Sequence, residues 1–262
     1  MTIAGSDSGA GAGIQADLKT ISALDGYGTT VITALTAQNT MGVDGIFAVP
    51  IDFIEKQFLS ITTDFDVNAV KTGMLHNNEV VNCVANLFIS SKIDYLVVDP
   101  VMIATSGDKL ITEETIDCLI KKLFPLATII TPNLKEAELI LNIKINSIDE
   151  MINASKYLLE FGSEAVLLKG GHFNETNDNT KKIYDIFYSK KNVSPLVYTK
   201  PKINTKNLHG TGCTLSAALA TFLSKEIGIW NSFLQTEKYI YQAIKKGMKF
   251  NVGKGNGPLW HF

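Results

Sequence analysis

Short runs of β-branched and aliphatic residues recur along the chain, each followed by a segment with helical spacing. This alternation limits the fold more than any other feature. Thr29–Ala37 (TTVITALTA), Asn68–Gly73, Tyr95–Asp99, Ala127–Thr131 and Ala165–Lys169 read as strands. Ile14–Leu24, Ile51–Ile61, Glu79–Ile89 and a segment from Thr112 to about Lys122 read as helices, and two more helical patterns follow Pro132. The chain opens on the end of a first strand, Thr2–Ala4, and a loop, Gly5–Gly13. Ile183–Tyr188 and Leu196–Thr199 read as a two-stranded excursion around a polar turn, and two helices complete the chain. Short apolar strands alternating with helices imply βαβ units, hence a mainly parallel sheet covered on both faces. No linker rich in Pro, Gly or Ser divides the sequence and no repeat is evident, so a single domain over residues 1–262 is expected. Ligands of open α/β sheets bind beyond the carboxyl ends of the strands. The loops after Ala4, Ala37, Gly73, Asp99, Thr131 and Lys169 are therefore where a site is expected.

Composition excludes several classes. With a net charge of −2 and 19% charged residues, the chain is not basic enough for nucleic acid to be its main partner. No apolar run reaches the roughly 20 residues of a membrane span, and no signal-type leader precedes Met1-Thr2-Ile3, which makes the cytoplasm the expected compartment. The sequons at Asn174 and Asn192 then read as chance matches. Cys83, Cys118 and Cys213 are far apart and odd in number, unlike a disulfide framework or a cysteine zinc site. Cys83 and Cys118 fall in helical patterns and read as core or partly buried residues. All 24 basic residues are lysine. Any phosphate chemistry must then rely on lysine, metal and backbone N–H groups, without a guanidinium fork.

His209-Gly210-Thr211-Gly212-Cys213 leads into the small, apolar helical pattern Thr214–Ala220. The first N–H groups of a helix lack internal partners, and the helix dipole favours negative charge there. A glycine-rich turn at that point forms an anion cradle, and a thiol on the first turn is expected to lose its proton more easily. The combination points to phosphoryl transfer; the plain alternative is a helix with a tight glycine entry and a small buried Cys.

Gly11-x-Gly13-x-x-Ala16 fits the loose dinucleotide fingerprint, but the acidic residue expected roughly 20 positions later is missing. A flexible substrate loop fits better, with Asp17 either accepting a hydrogen bond from a ligand or answering the helix dipole. Gln38, at a strand end, offers one acceptor and two donors in a plane, which suits an aminopyrimidine edge or a turn cap. Asp99 ends a strand where a metal–phosphate group can sit, or caps the next turn. Asn133 and Glu136 share one helix face, as two metal-organising oxygen ligands or as a capping box. Lys169-Gly170-Gly171-His172 supplies a cation and close backbone approach for a polyphosphate. No G-x-x-x-x-G-K-[S/T] occurs, which excludes a P-loop. His172 and His209 are isolated and read as loop residues, not metal ligands. Val252–Pro258 (VGKGNGP) is a second Gly-Lys loop, which either closes over a ligand or simply frays.

Taken together, these segments resemble the ribokinase-like superfamily, and within it the hydroxymethylpyrimidine/phosphomethylpyrimidine kinases of thiamine biosynthesis. The resemblance rests on TIAGSDSGAGAGIQADLKT (Thr2–Thr20), VITALTAQNT (Val31–Thr40), KTGML (Lys71–Leu75), VVDPVM (Val97–Met102), TPNLKEAE (Thr131–Glu138), AVLLKGGH (Ala165–His172), NTKNLHGTGCTLSAA (Asn204–Ala218) and VGKGNGP (Val252–Pro258). These span nearly the whole chain in order. The resemblance implies a three-layer α/β/α sandwich, a homodimer, and two steps at one site with ATP and Mg²⁺. First the hydroxymethyl group of 4-amino-5-hydroxymethyl-2-methylpyrimidine is phosphorylated, then the monophosphate becomes the diphosphate. It places Gly5, Asp17, Gln38 and Val101 on the pyrimidine. Gly210, Thr211, Gly212 and Cys213 form the anion hole, with Cys213 as proton acceptor. Asn133, Glu136 and Asp99 organise Mg²⁺, and Lys169, Gly171, Lys206 and Lys254 lie by ATP.

The wider superfamily usually has Asp where this chain has Cys213, and the substitution fits the thiamine subgroup and some related pyridoxal kinases. Family members also commonly carry a few residues before the segment that begins here at Thr2, which implies a shortened first strand. A pyridoxal-type vitamin kinase on the same scaffold is the chief rival. A non-catalytic pyrimidine or nucleotide sensor and an NAD-binding oxidoreductase are the readings from other classes.

Overall fold

The computed structural model describes residues 1–102, 111–171 and 182–262. His172 and the sequon at Asn174 lie outside the described residues. The strands are β1 (Thr2–Asp7), β2 (Thr30–Gln38), β3 (Val43–Ala48), β4 (Ala69–Thr72), β5 (Tyr95–Val98), β6 (Ile129–Ile130), β7 (Ala165–Leu168), β8 (Lys182–Ser189) and β9 (Leu196–Pro201). The helices are α1 (Gly13–Ala23), α2 (Ile51–Thr62), α3 (Asn78–Ser90), α4 (Glu113–Cys118), α5 (Leu134–Leu141), α6 (Ile148–Glu160), α7 (Thr211–Leu223) and α8 (Ile229–Gly247). Among the described residues the strands form one sheet in the order β3-β2-β1-β4-β5-β6-β7-β8-β9. Pairing is parallel from β2 through β7 and antiparallel at both margins.

Period-two alternation divides the central strands between two cores. Val70, Leu96, Val98, Ile130, Val166 and Leu168 face α2, α3, α5 and α6. Ala69, Val97, Ile129, Ala165 and Leu167 face α7 and α8. Both faces are covered, so the structure is the expected α/β/α sandwich, and strands apolar on both faces are what a parallel sheet requires. Each fully buried Val, Leu or Ile contributes about 1.5–3 kcal/mol, which makes the sheet a stiff platform for the loops at its carboxyl edge.

Several elements depart from the sequence expectation. β1 does not stop at Ala4: its pairing with β2 shifts between Ala4 and Ser6 and resumes through Asp7. The glycine that reads as the start of a loop is a bulge within the strand. β3 is unforeseen because it is an exposed edge strand holding Asp44 and Gly45, with no apolar face to impose alternation. β8 and β9 are no separate excursion; β8 pairs antiparallel with β7 and β9 with β8, extending the main sheet. α4 runs on into a π turn (Leu119–Leu123) and a 3₁₀ turn (Phe124–Leu126), where Pro125 ends the helical run.

Candidate active site

The loops at the carboxyl ends of β1, β4, β5, β6 and β7 converge on a cleft of about 390 Å³. Gly5, Gln38, Val101, Asp99, Asn133, Glu136, Lys169, Gly171 and the run Gly210–Cys213 all line it. Residues from six sequence segments thus meet in one place.

At the floor, two helix N-termini abut. α7 begins after Gly210, which has φ +84°, and α1 begins at Gly13, with φ +57°. A Cβ on Gly210 would run into the carbonyl oxygen of Gly11, and one on Gly13 into the carbonyl of Gly5. Only glycine allows this approach at these dihedrals. α3, α5 and α6 are capped by Asn77, Asn133 and Ser147, whereas α1 and α7 have no side-chain cap. The Thr211 N–H is taken by the Leu208 carbonyl at 3.2 Å, and the starts of both helices, at Ala12–Gly13 and Gly212–Cys213, line the cleft, where an anion-binding helix end would lie.

The loop between β1 and α1 is organised by Asp7. Its Oδ1 accepts from Gly9 N at 2.8 Å, and Oδ2 accepts from Gly11 N at 3.1 Å and Ala12 N at 2.8 Å. His209 Nε2 lies 2.9 Å from the same Oδ2, and Gln38 Nε2 lies 3.4 Å from His209 Nε2. Burial alone would raise the Asp7 carboxyl, but His209 and these N–H groups hold it below the usual carboxylate range. His209 is thus not isolated: it ties the anion hole to the first loop.

Asp99 is buried and accepts from Lys169 Nζ at 3.0 Å, Thr131 Oγ1 at 3.1 Å and Ser216 Oγ at 3.2 Å. Burial opposes its charge, yet Lys169 and Lys71 keep it ionised. Asn133 and Glu136 form a full capping box: Glu136 N donates to Asn133 Oδ1 at 3.0 Å and Asn133 N to Glu136 Oε2 at 2.8 Å. Burial pushes the Glu136 carboxyl up to about 7, against the pull of Lys169. Among the described residues no three His, Cys, Asp or Glu side chains cluster closely enough to cage a metal alone. Two carboxylates beside a lysine nevertheless match an ion that keeps water and phosphate oxygens in most of its shell, as Mg²⁺ does.

Cys213 sits half-buried on the first turn of α7. Burial pushes its thiol up to about 11, against the pull of Lys71 and the Gly13 N–H. The expectation of an easily ionised thiol is therefore corrected: desolvation outweighs the helix end.

Three other expectations are corrected. Asp17 is fully buried beneath the cleft and does not line it. Lys71 Nζ reaches both its oxygens, at 2.8 and 3.0 Å, and Thr2 Oγ1 donates to Oδ2 at 2.6 Å. Lys206 and Lys254 are exposed and off the lining. The Lys254 loop is pinned instead to the β2–β3 turn, where Lys254 N and Gly255 N donate to Thr40 Oγ1 at 3.2 and 3.1 Å.

Sequence reasoning missed Asp7, Lys71 and a buried group on the far wall. There Lys200 Nζ lies 2.5 Å from both Asp185 and Glu237. Asp185 Oδ1 accepts from Gly170 N at 2.7 Å, which fixes the glycine after Lys169. Burial and then Asp185 push the Glu237 carboxyl up to about 7, despite Lys200. A signal existed for two of these residues: Lys71 and Asp185 are charges inside otherwise apolar strands.

Comparison with known proteins bears on this geometry. The family model for phosphomethylpyrimidine kinase matches residues 7–260. A hydroxymethylpyrimidine/phosphomethylpyrimidine kinase of Rhizobium meliloti is 42% identical over 264 residues, spanning 100% of this chain and 96% of that protein. The thiamine biosynthesis bifunctional protein ThiED of Geobacter sulfurreducens is 41% identical over 261 residues, where this chain spans 51% of the longer protein. Among solved structures, phosphomethylpyrimidine kinase from Clostridium difficile has a TM-score of 0.80 at 42% identity, covering 93% of this chain and 97% of that one. Pyridoxal kinase from Staphylococcus aureus, in complex with AMP-PCP and pyridoxal, has a TM-score of 0.88 at 32% identity, covering 99% and 91%.

Proposed function

The chain belongs to the phosphomethylpyrimidine kinase family, and from that premise we propose how its cleft works as an ATP-dependent kinase of thiamine biosynthesis. It phosphorylates the hydroxymethylpyrimidine and then its monophosphate, both in this cleft. The observation that carries the reading is the pair of uncapped helix N-termini, one of them carrying Cys213, that line one cavity with Lys169. Phosphoryl transfer depends mainly on positioning and charge stabilisation, and these groups supply both.

Gly5, Gln38 and Val101 hold the pyrimidine. Lys169, with Gly170 and Gly171 beside it, takes the nucleotide phosphates. Gly210 and Thr211 shape the turn of the anion hole, and the N–H groups of Gly212 and Cys213 receive the charge that develops on the transferred group. Asp99, Glu136 and Asn133 are the residues that would hold Mg²⁺, which would supply positive charge to neutralise the nucleotide phosphates. In the first step Cys213 Sγ takes the hydroxyl proton. In the second the nucleophile is already a phosphate oxygen and needs little help from a base. The whole chain, 1–262, acts as one domain in the cytoplasm, as a homodimer.

The S. aureus structure favours one alternative, a kinase acting on pyridoxal. Turnover of the hydroxymethylpyrimidine, its monophosphate and pyridoxal by the purified protein separates the two. Higher kcat/KM for the pyrimidines supports the proposal; pyridoxal turnover alone contradicts it.

A further inference from the structure

Lys71 and Asp17 form an ion pair with 1% and 0% side-chain exposure, yet no step of the phosphoryl transfer uses them. A buried charge pair is costly to desolvate and needs an explanation beyond stability. Two observations tie it to Cys213, and a third holds the pair itself in place. Asp17 lies four residues after Gly13 on α1, so it sits one turn behind the N–H that faces the thiol, on the same helix face. Lys71 lines the same cavity as Cys213, and a Cβ on Gly73 would lie only 3.0 Å from its Nζ, so Gly73 leaves room for the ammonium. Thr2, which pairs in register with Lys71, donates to Asp17 and closes the arrangement.

We propose that the Asp17–Lys71 pair is a positioning device that acts through Cys213, its ammonium drawing the thiol proton off and its carboxylate opposing that pull. In a water-poor interior such fields are weakly screened. The other charged groups bearing on the thiol are Asp99 after β5 and Lys169 after β7. Asp7 and His209 face the cleft from β1 and the loop before α7, and His261, next to Thr214, is held neutral by burial. Asp99, which also opposes ionisation of the thiol, is paired to Lys169 and is left unchanged in the variants below, so Asp17 and Lys71 are tested against a constant background.

The inference builds on the reading of Cys213 as proton acceptor, but its test uses no substrate, so the two fail separately. Alkylation of Cys213 by iodoacetamide is followed against pH on the intact protein, with the Cys213 peptide quantified by mass spectrometry. Lys71→Met is expected to slow alkylation at fixed pH about tenfold, one unit of thiol pKa, and Asp17→Asn to speed it by a similar factor. The double variant returns close to wild type. If Lys71→Met does not fold, Asp17→Asn and the double variant decide. A purely structural role would shift all variants in one direction or none; either result overturns the proposal.

Discussion

Gly210 packs directly against the carbonyl of Gly11, at the point where the first turns of α7 and α1 meet. The contact brings the starts of both helices together on the cleft. Gly210→Ala must adopt a positive φ and displace that carbonyl, together costing about 2–4 kcal/mol. Thermal melting is expected to show this loss, and both phosphorylations are expected to fall by about 100-fold or more. A folded variant with wild-type rates would remove the anion hole from the account.

Cys213→Ala separates the two steps. Loss of a positioned general base typically costs about 10²–10⁴ in rate. That loss is expected for the hydroxymethyl substrate and not for the monophosphate, whose nucleophile is already anionic. Equal losses in both reactions, measured with each substrate supplied separately, would exclude a proton-acceptor role.

The pH dependence follows from the raised thiol. Below about 11 the sulfur is mostly protonated, so its active form grows with pH. The first phosphorylation is expected to accelerate steadily with pH through the neutral range, while the second stays nearly flat. Cys213→Asp, with an acceptor already ionised, is expected to flatten the first profile as well.

Asp99 and Lys169 are unequal partners in their ion pair. Lys169→Met leaves Asp99 with Thr131, Ser216 and the field of Lys71. Asp99→Ala leaves two buried lysines without that anion, a loss of about 3–5 kcal/mol. Urea denaturation is expected to show Asp99→Ala as the less stable variant, while both lose turnover with ATP.

Glu136 and Glu237 are expected to make stability decline as pH rises from about 4.5 to about 7, two groups against the one opposing contribution of His261, whose folded-state value is lowered to about 4. Glu136 and Glu237 hold their protons in the folded chain up to about 7, whereas unfolded Glu releases them near its ordinary value. The folded state then binds more protons across that window, and stability falls with rising pH. Glu237→Gln removes one of the two groups and is expected to shallow the slope in thermal melts taken at several pH values.

The central sheet was legible because strands buried on both faces advertise themselves as continuous apolar runs, as at Leu96–Val98 and Ala165–Leu168. β3 was not, since an edge strand with exposed Gly45 and Phe47 obeys no such pattern. The cleft could be anticipated from the strand ends and from the glycines around Gly210, whose purpose is steric and local. Asp7, His209 and Lys200 could not, because their partners lie far away in sequence: Asp7 and His209 are 202 residues apart. Asp17 shows the converse, a residue whose helix position invites a ligand while the fold gives it a lysine.

The most direct measurement is a chromatographic time course of wild-type protein with Mg-ATP and the hydroxymethylpyrimidine. One cleft performing both steps predicts that the monophosphate rises first and then gives way to the diphosphate, with added monophosphate competing for the first step. Monophosphate that accumulates without diphosphate, in the presence of excess ATP, would contradict the account.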